Sequence, residues 1–283
     1  MRVLVVIAAL LPTSAGKLDI PPAWIAPTDP FPIVGPIYYV GSEGLAAYLI
    51  TTPDGAILID GTMAENVPAI ERNIRAVGVP INRIKWLLNS HAHFDHAAGL
   101  ARLKRDSGAK LAVMDADARA IATGRPPSVV NYGLVTFPAA LVDRVLHDGD
   151  TVTLGGITLT AVKTPGHTAG CTTWTMPVSD GKRTLNVMFP CSLTVAGNDL
   201  VDNPGYRGIV DDFRRSFARL ASMQADVLLP AHPDQIGLLS RRDEAKRGNA
   251  DAFVKPADLQ NVVAGARRAF DAELERQRGA LPH

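Results

Sequence analysis

The sequence is poor in the features that mark a scaffold or a polyelectrolyte-binding protein by composition alone. Two cysteines, Cys171 and Cys191, stand among 283 residues, too few for a disulfide framework or a four-cysteine zinc module. Charge of one sign is also missing, because 29 Lys+Arg against 28 Asp+Glu leave a formal net charge of +1. That balance gives no electrostatic reason to expect nucleic acid or anionic lipid as the main partner. Past Ala15 no apolar run approaches the ~20 residues of a membrane span, so a membrane partner is not expected. No short-period repeat, low-complexity tract or linker divides the chain. What the chain does have is 47% hydrophobic residues, enough to bury a sizeable core in one large domain or two small ones.

The first residues read as an address. Arg2, the apolar run Val3 to Leu11 and then Pro12-Thr13-Ser14-Ala15 have the order of a secretory signal peptide, with cleavage expected after Ala15. An N-terminal core strand would share the apolar content but not the sequence of base, apolar run and small residues. Removing residues 1 to 15 takes away Arg2 and no acid, which leaves a formal charge of zero. Residues 16 to 36 follow as a proline-rich arm, with prolines at 21, 22, 27, 30, 32 and 36, and residues 37 to 283 read as one domain.

Within that domain, short β-type runs at 37–40, 46–51 and 56–59 are broken by Gly41, Gly44 and Pro53-Asp54-Gly55. Helical spacing over 64–77 puts Val67, Ile70, Ile74 and Val77 on one side, and 84–88 returns to strand character. A second round runs through strands at 142–146, 151–154, 157–162, 172–175 and 185–189. It closes with a helix over 210–223, a strand at 227–229 and a long helix from 256 to 278. Strands followed by helices, twice, predict two β-sheets covered by helices, an α/β sandwich of four layers.

Three of the seven histidines fall within six residues, His91-Ala92-His93-Phe94-Asp95-His96. His91 and His93 alternate as i and i+2, so in an extended segment both imidazoles project to the same side. Asp95 and His96 stand where the spacing of Ala97, Leu100 and Leu103 starts a helix, and a helix start lets neighbouring side chains point back toward the preceding loop. His167 lies in Thr164-Pro165-Gly166-His167-Thr168-Ala169-Gly170 and His232 in Leu229-Pro230-Ala231-His232-Pro233. Each follows a strand-like segment, as ligands on loops above a rigid scaffold should. His147, in a hairpin-like turn, and His283, the last residue, are expected to be solvated.

These motifs, with Leu58-Ile59-Asp60-Gly61 ahead of them, resemble the metallo-β-lactamase superfamily over roughly residues 34 to 235. The resemblance implies an αββα sandwich and a dinuclear zinc site. His91, His93 and His167 would hold the first zinc, and Asp95, His96 and His232 the second, with Asp95 also orienting the nucleophile. Hydrolases of the glyoxalase II and lactonase type place a metal-bridging aspartate at the end of the strand between the fourth and fifth histidine ligands. Here Met188 to Gly197 contains no carboxylate, which is similar to the true β-lactamases, and the presence of both His91 and His96 resembles their third subclass. The downstream Gly205-Tyr206, Val210 to Phe217 and Asp226 to Leu229 resemble that subclass too.

The implied activity is hydrolysis of the β-lactam amide by zinc-activated hydroxide in a periplasmic, monomeric enzyme that confers antibiotic resistance. The alternative is a thioester or lactone hydrolase, and a non-catalytic zinc-binding member is a third reading. By the same resemblance Ser192 and Thr194 would bind the substrate carboxylate, and Asp60 would hold a ligand imidazole. Trp24 and Ile25 would cover the pocket, and the loop 125–134 would form its opposite wall. Cys191 keeps three roles open: a zinc thiolate, a buried free thiol, or a disulfide to Cys171, which export favours.

Overall fold

In the computed structural model the described residues are 20–126, 130 and 134–280. The signal-like residues 1–15, most of the 125–134 loop and His283 lie outside them. Seven strands form the first sheet in sequence order: β1 (Phe31–Val34), β2 (Ile37–Tyr39), β3 (Tyr48–Thr52), β4 (Gly55–Ile59), β5 (Ile84–Leu88), β6 (Lys110–Met114) and β7 (Arg144–Leu146). The first four pair antiparallel, and β4 through β7 pair parallel. The second sheet runs β12 (Val227–Leu228), β11 (Thr184–Phe189), β10 (Thr172–Ser179), β9 (Ile157–Lys163) and β8 (Thr151–Leu154), antiparallel except for β11 with β12.

Period-2 alternation explains how the sheets stack, because successive side chains of a strand face opposite ways. In β4, Ile57 and Ile59 face the second sheet, where they join Tyr48, Leu159, Trp174 and Val187 in the central core. Ala56 and Leu58 of the same strand face outward, under Val67, Ile70, Leu100 and Leu103. Those four belong to α2 (Val67–Ala76) and α4 (Leu100–Ser107), helices that follow the one-turn α1 (Pro22–Ile25) and α3 (Phe94–Ala97) in their parts of the chain; α5 (Asp115–Thr123) completes that outer layer. The other outer layer is built from α6 (Ile209–Ala221) and α8 (Asp258–Gly279), with α7 (Leu238–Lys246) between them in sequence. There Phe213, Phe217, Phe270 and Leu274 cover Met188 and Leu228. The result is the expected αββα sandwich.

Several elements go beyond the sequence expectation. Within the proline-rich arm, Phe31–Val34 pairs with β2 as an edge strand, the position in which proline is tolerated. β6, α5 and α7 were not anticipated at all. Among the described residues no helix is long and apolar enough to cross a membrane.

Candidate metal centre

Most of the candidate side chains follow the end of a strand. β4 leads to Asp60, β5 to His91 and His93, β9 to His167, β11 to Ser192 and Thr194, and β12 to His232. His96 and Asp95 sit in the single turn α3, whose approach to β4 depends on two glycines. The Gly61 N–H donates to the His96 carbonyl at 3.0 Å, and a Cβ on Gly99 would lie 2.1 Å from the Gly61 carbonyl oxygen. Any larger residue at Gly99 would push α3 away from Asp60. Asp60 itself has a positive φ of 63°, a conformation unfavourable for a non-glycine residue and typical of a site where backbone strain is held by surrounding contacts.

The six ligand-type side chains converge. The ligand atoms of His91, His93 and His167 lie within 4.8 Å of one another, as do those of His91, Asp95 and His96. His232 approaches the same place, its Nε2 lying 3.2 Å from His96 Nε2 and 3.5 Å from Asp95 Oδ2. All but His232 are buried.

Hydrogen bonding fixes which nitrogen each imidazole presents. His167 Nδ1 donates to the Thr194 carbonyl at 2.7 Å. The Ser90 hydroxyl donates to Asp60 Oδ2 at 2.6 Å, which leaves its oxygen to accept from His91 Nδ1 at 3.0 Å. Both rings therefore point a bare Nε2 lone pair inward, and these two nitrogens are only 3.0 Å apart. Burial pushes both pKa values far below the usual histidine range, reinforced by the neighbouring histidines, so a shared proton does not relieve the contact. His93 Nε2 is buried with no hydrogen-bond partner. Two opposed lone pairs and an orphaned ring nitrogen fit a cation bound among the three rings.

The other half of the centre is charged. Asp95 Oδ2 lies 3.2 Å from His96 Nε2. Burial raises its pKa, but the facing imidazoles outweigh that and hold it well below the carboxylate range. Burial lowers the pKa of His96, yet Asp95 and Asp60 on its two sides drive it up to about 10. His96 Nδ1 stands 3.5 Å from Asp60 Oδ2, which orients the ring so that Nε2 faces Asp95 and His232. Burial pulls His93 and His232 down to about 4, so both are neutral, ligand-competent imidazoles at neutral pH.

Above the ligands lies a cleft of about 400 Å³ lined by Trp24, Phe94, Thr194, Ala196, Asp234 and Gln235 with the histidines. Larger depressions of about 700 and 470 Å³ lie elsewhere, with no ligand cluster among the described residues. The Trp24 ring sits 5.5 Å from that of His232, so the arm covers one side of the cleft. Ile25 is half exposed and does not line it. Of the opposite loop, Val130 is described and bridges Asn198. Thr194 is exposed in the cleft, and Ser192 is buried behind it, the two hydroxyl oxygens 3.1 Å apart. Cys171 and Cys191 are joined as a disulfide with Cα atoms 5.7 Å apart, which leaves Cys191 no thiolate for metal. His147 is exposed, as expected.

Sequence reasoning missed Asp117. This fully buried carboxylate accepts from Ala92 N–H at 2.9 Å, Thr168 Oγ1 at 2.7 Å and Gly170 N–H at 2.9 Å. It thus clamps the loop bearing His91 and His93 to the loop bearing His167. The contact is close: a Cβ on Gly170 would stand 2.5 Å from Asp117 Cγ. Nothing in the sequence marks it, since the helix that carries Asp117 was itself not anticipated; in the structure it is one of two acids in the first turn of α5.

A cluster of five imidazoles and one ionised carboxylate on loops and a single helical turn, beneath an open cleft, defines a metal-dependent hydrolase. Residues 44–232 match the model of the metallo-beta-lactamase superfamily, and the chain belongs to that family. BJP-1, a subclass B3 metallo-beta-lactamase of Bradyrhizobium japonicum, is 42% identical with a TM-score of 0.87, the alignment covering 92% of this chain and 99% of that one. A hydroxyacylglutathione hydrolase of Acidiphilium cryptum is 27% identical over 73% of this chain and 82% of its own length. A probable metallo-hydrolase of Burkholderia pseudomallei is 34% identical, but the match spans 32% of this chain and only 31% of that protein.

Proposed function

We propose that the protein is an exported, monomeric, dizinc β-lactamase that opens penicillins, cephalosporins and carbapenems and so confers antibiotic resistance. His91, His93 and His167 would hold one zinc, and Asp95, His96 and His232 the other. When bound there, zinc supplies a Lewis acid for the lactam carbonyl and acidifies water to about pKa 7. The observation that carries the choice of substrate is the absence of a carboxylate between Phe189 and Asn198, where thioester and lactone hydrolases have theirs. Cys191 stands in that stretch instead, tied up in a disulfide. The likeness to BJP-1 over nearly its whole length supports the same reading, and the disulfide suits an oxidising compartment such as the periplasm.

The chain's own groups have distinct tasks in this reaction, in which water adds across the lactam C–N bond to give an acid and an amine. Asp95 remains an ionised acceptor beside His96 and His232 and orients the attacking water. Thr194, exposed in the cleft, would take the substrate carboxylate with the Ser192 hydroxyl buried against it as a partner, while the Thr194 carbonyl keeps His167 in its inward-facing tautomer. Trp24 shields the cleft from bulk water. Nitrocefin turnover by purified protein, abolished by EDTA and restored by zinc, is the expected result. Zinc-loaded protein that left nitrocefin and a carbapenem intact but cleaved a thioester or lactone would establish the alternative instead.

A further inference from the structure

The disulfide stands against the metal centre. Cys171 ends the His167 loop just before β10, and Cys191 follows β11, the neighbouring strand. The segment that leads into His91 is pinned at the same place, because the Ser90 carbonyl accepts from Thr172 N–H at 2.8 Å. As a result both sulfur atoms and a ring nitrogen of His91 lie within 4.8 Å of one another, and all three residues are buried. His91 thus belongs both to the groups of the metal centre and to a group with the two cysteines. Donors set on one tetrahedral ion at zinc–nitrogen and zinc–sulfur bond lengths stand about 3.5–3.8 Å apart, so this group needs little movement to close on an ion once the sulfurs can part. Each sulfur also has an oxygen beside it. Cys191 Sγ lies 3.4 Å from the Ser90 carbonyl oxygen and Cys171 Sγ 3.5 Å from that of Ser192, so a thiol at either position finds an acceptor in place.

We propose that Cys171 and Cys191, when reduced, form with His91 a further metal site for a thiophilic divalent ion such as Zn²⁺ or Cd²⁺, and that the disulfide keeps His91 for the metal centre. A neutral imidazole carries one ring proton and one free lone pair, so His91 serves the centre or the cysteines, one at a time. The reductant is a dithiol. It gives two electrons and two protons to the S–S bond, closes to a disulfide itself and leaves two thiols. Both thiols release their protons as they bind the ion, and two thiolates with one imidazole are the donor set that soft ions prefer. The inference concerns metal binding alone and does not depend on which substrate the enzyme takes.

Both sulfurs are buried, so the test reduces the full chain in urea, refolds it under dithiothreitol and titrates it with Cd²⁺, whose bonds to thiolate absorb in the ultraviolet. Reduced protein should develop that absorption with the amplitude of one ion held by two thiolates. Oxidised protein and the Cys171→Ser/Cys191→Ser double variant should show none. In the reduced state His91→Ala should weaken Cd²⁺ binding at the thiolates by at least about tenfold, the cost of losing even an outer partner of a metal ligand. His93→Ala, which breaks the three-histidine group and so frees His91, should bind there as tightly as wild type or more tightly. Should the reduced chain not refold alone, Cd²⁺ is supplied during refolding, where binding couples to folding and should restore the far-ultraviolet circular dichroism of the oxidised protein. Absent thiolate absorption, equal binding by wild type and His91→Ala, weaker binding by His93→Ala, or a chain that stays unfolded with Cd²⁺ present would overturn the site.

Discussion

Asp117 makes the sharpest demand on the structural reasoning, because it touches no bound group and yet should control the metal centre. Its two oxygens receive three buried donors: Ala92 N–H and Thr168 Oγ1 on Oδ2, and Gly170 N–H on Oδ1. Asp117→Ala strands both amides, each at about 1–3 kcal/mol, while the threonine hydroxyl can rotate toward another acceptor. Burial also raises the pKa of this carboxyl, against the pull of its hydrogen bonds, so removing it recovers some desolvation energy. The net loss should be about 3 kcal/mol. Asp117→Asn is the more discriminating change. Its amide oxygen can replace Oδ2, but the NH₂ then faces the Gly170 N–H, donor against donor, and Gly170 has no room to move closer to another partner. Its loss should be about 1–2 kcal/mol.

Because the clamp sets the distance between the His91 and His167 loops, the same variants should weaken zinc binding at the three-histidine site by about 10- to 100-fold. Urea unfolding of the chelated chain reads the first effect, and zinc titration against a competing chelator reads the second. An Asp117→Asn protein with wild-type unfolding midpoint and wild-type zinc affinity would refute the clamp. A protein that lost stability but kept its zinc affinity would reduce Asp117 to a packing role.

Two further outcomes are expected of the same chain. Replacing Cys171 and Cys191 together by serine opens a loop closed over a sequence separation of 20 and should lower stability by about 3 kcal/mol in urea; a loss below about 1 kcal/mol would show that the disulfide constrains little. Zinc-free protein should lose stability as pH falls from 6.5 toward 4. There the unfolded chain protonates His91, His93, His167 and His232, which the folded state keeps neutral, so unfolding takes up protons. His96 acts in the opposite sense: its contribution is full below 6.5 and is lost as pH rises toward about 10. Below 6.5 the four lowered histidines therefore dominate, so urea midpoints should fall on acidification across that window, and a flat profile would contradict the burial of the ligand cluster.

The legible parts of this fold are those where one property of the sequence has one cause. The strand at 56–59 was readable because its apolar run is bounded by the turn residues Pro53-Asp54-Gly55 and Asp60-Gly61, and the helix at 67–76 because 3.6-residue spacing matches a face packed on the core. β6 is a similar apolar run buried on both faces, Leu111 to Met114, but its far end has no such punctuation. It passes straight into α5 with no turn residue between them. α7 buries only Leu238, so it shows no apolar period at all. β1 was hidden by Pro32, which reads as irregular chain until its place at the sheet edge is known.

The site divides along the same line. Side chains that bind metal must be of a few chemical types, so His91, His93, Asp95, His96, His167 and His232 stand out wherever they lie in the sequence. Groups that set the spacing of those ligands do so through backbone amides, as Asp117 does from 25 and 53 residues away, and nothing in their identity distinguishes them from ordinary helix acids.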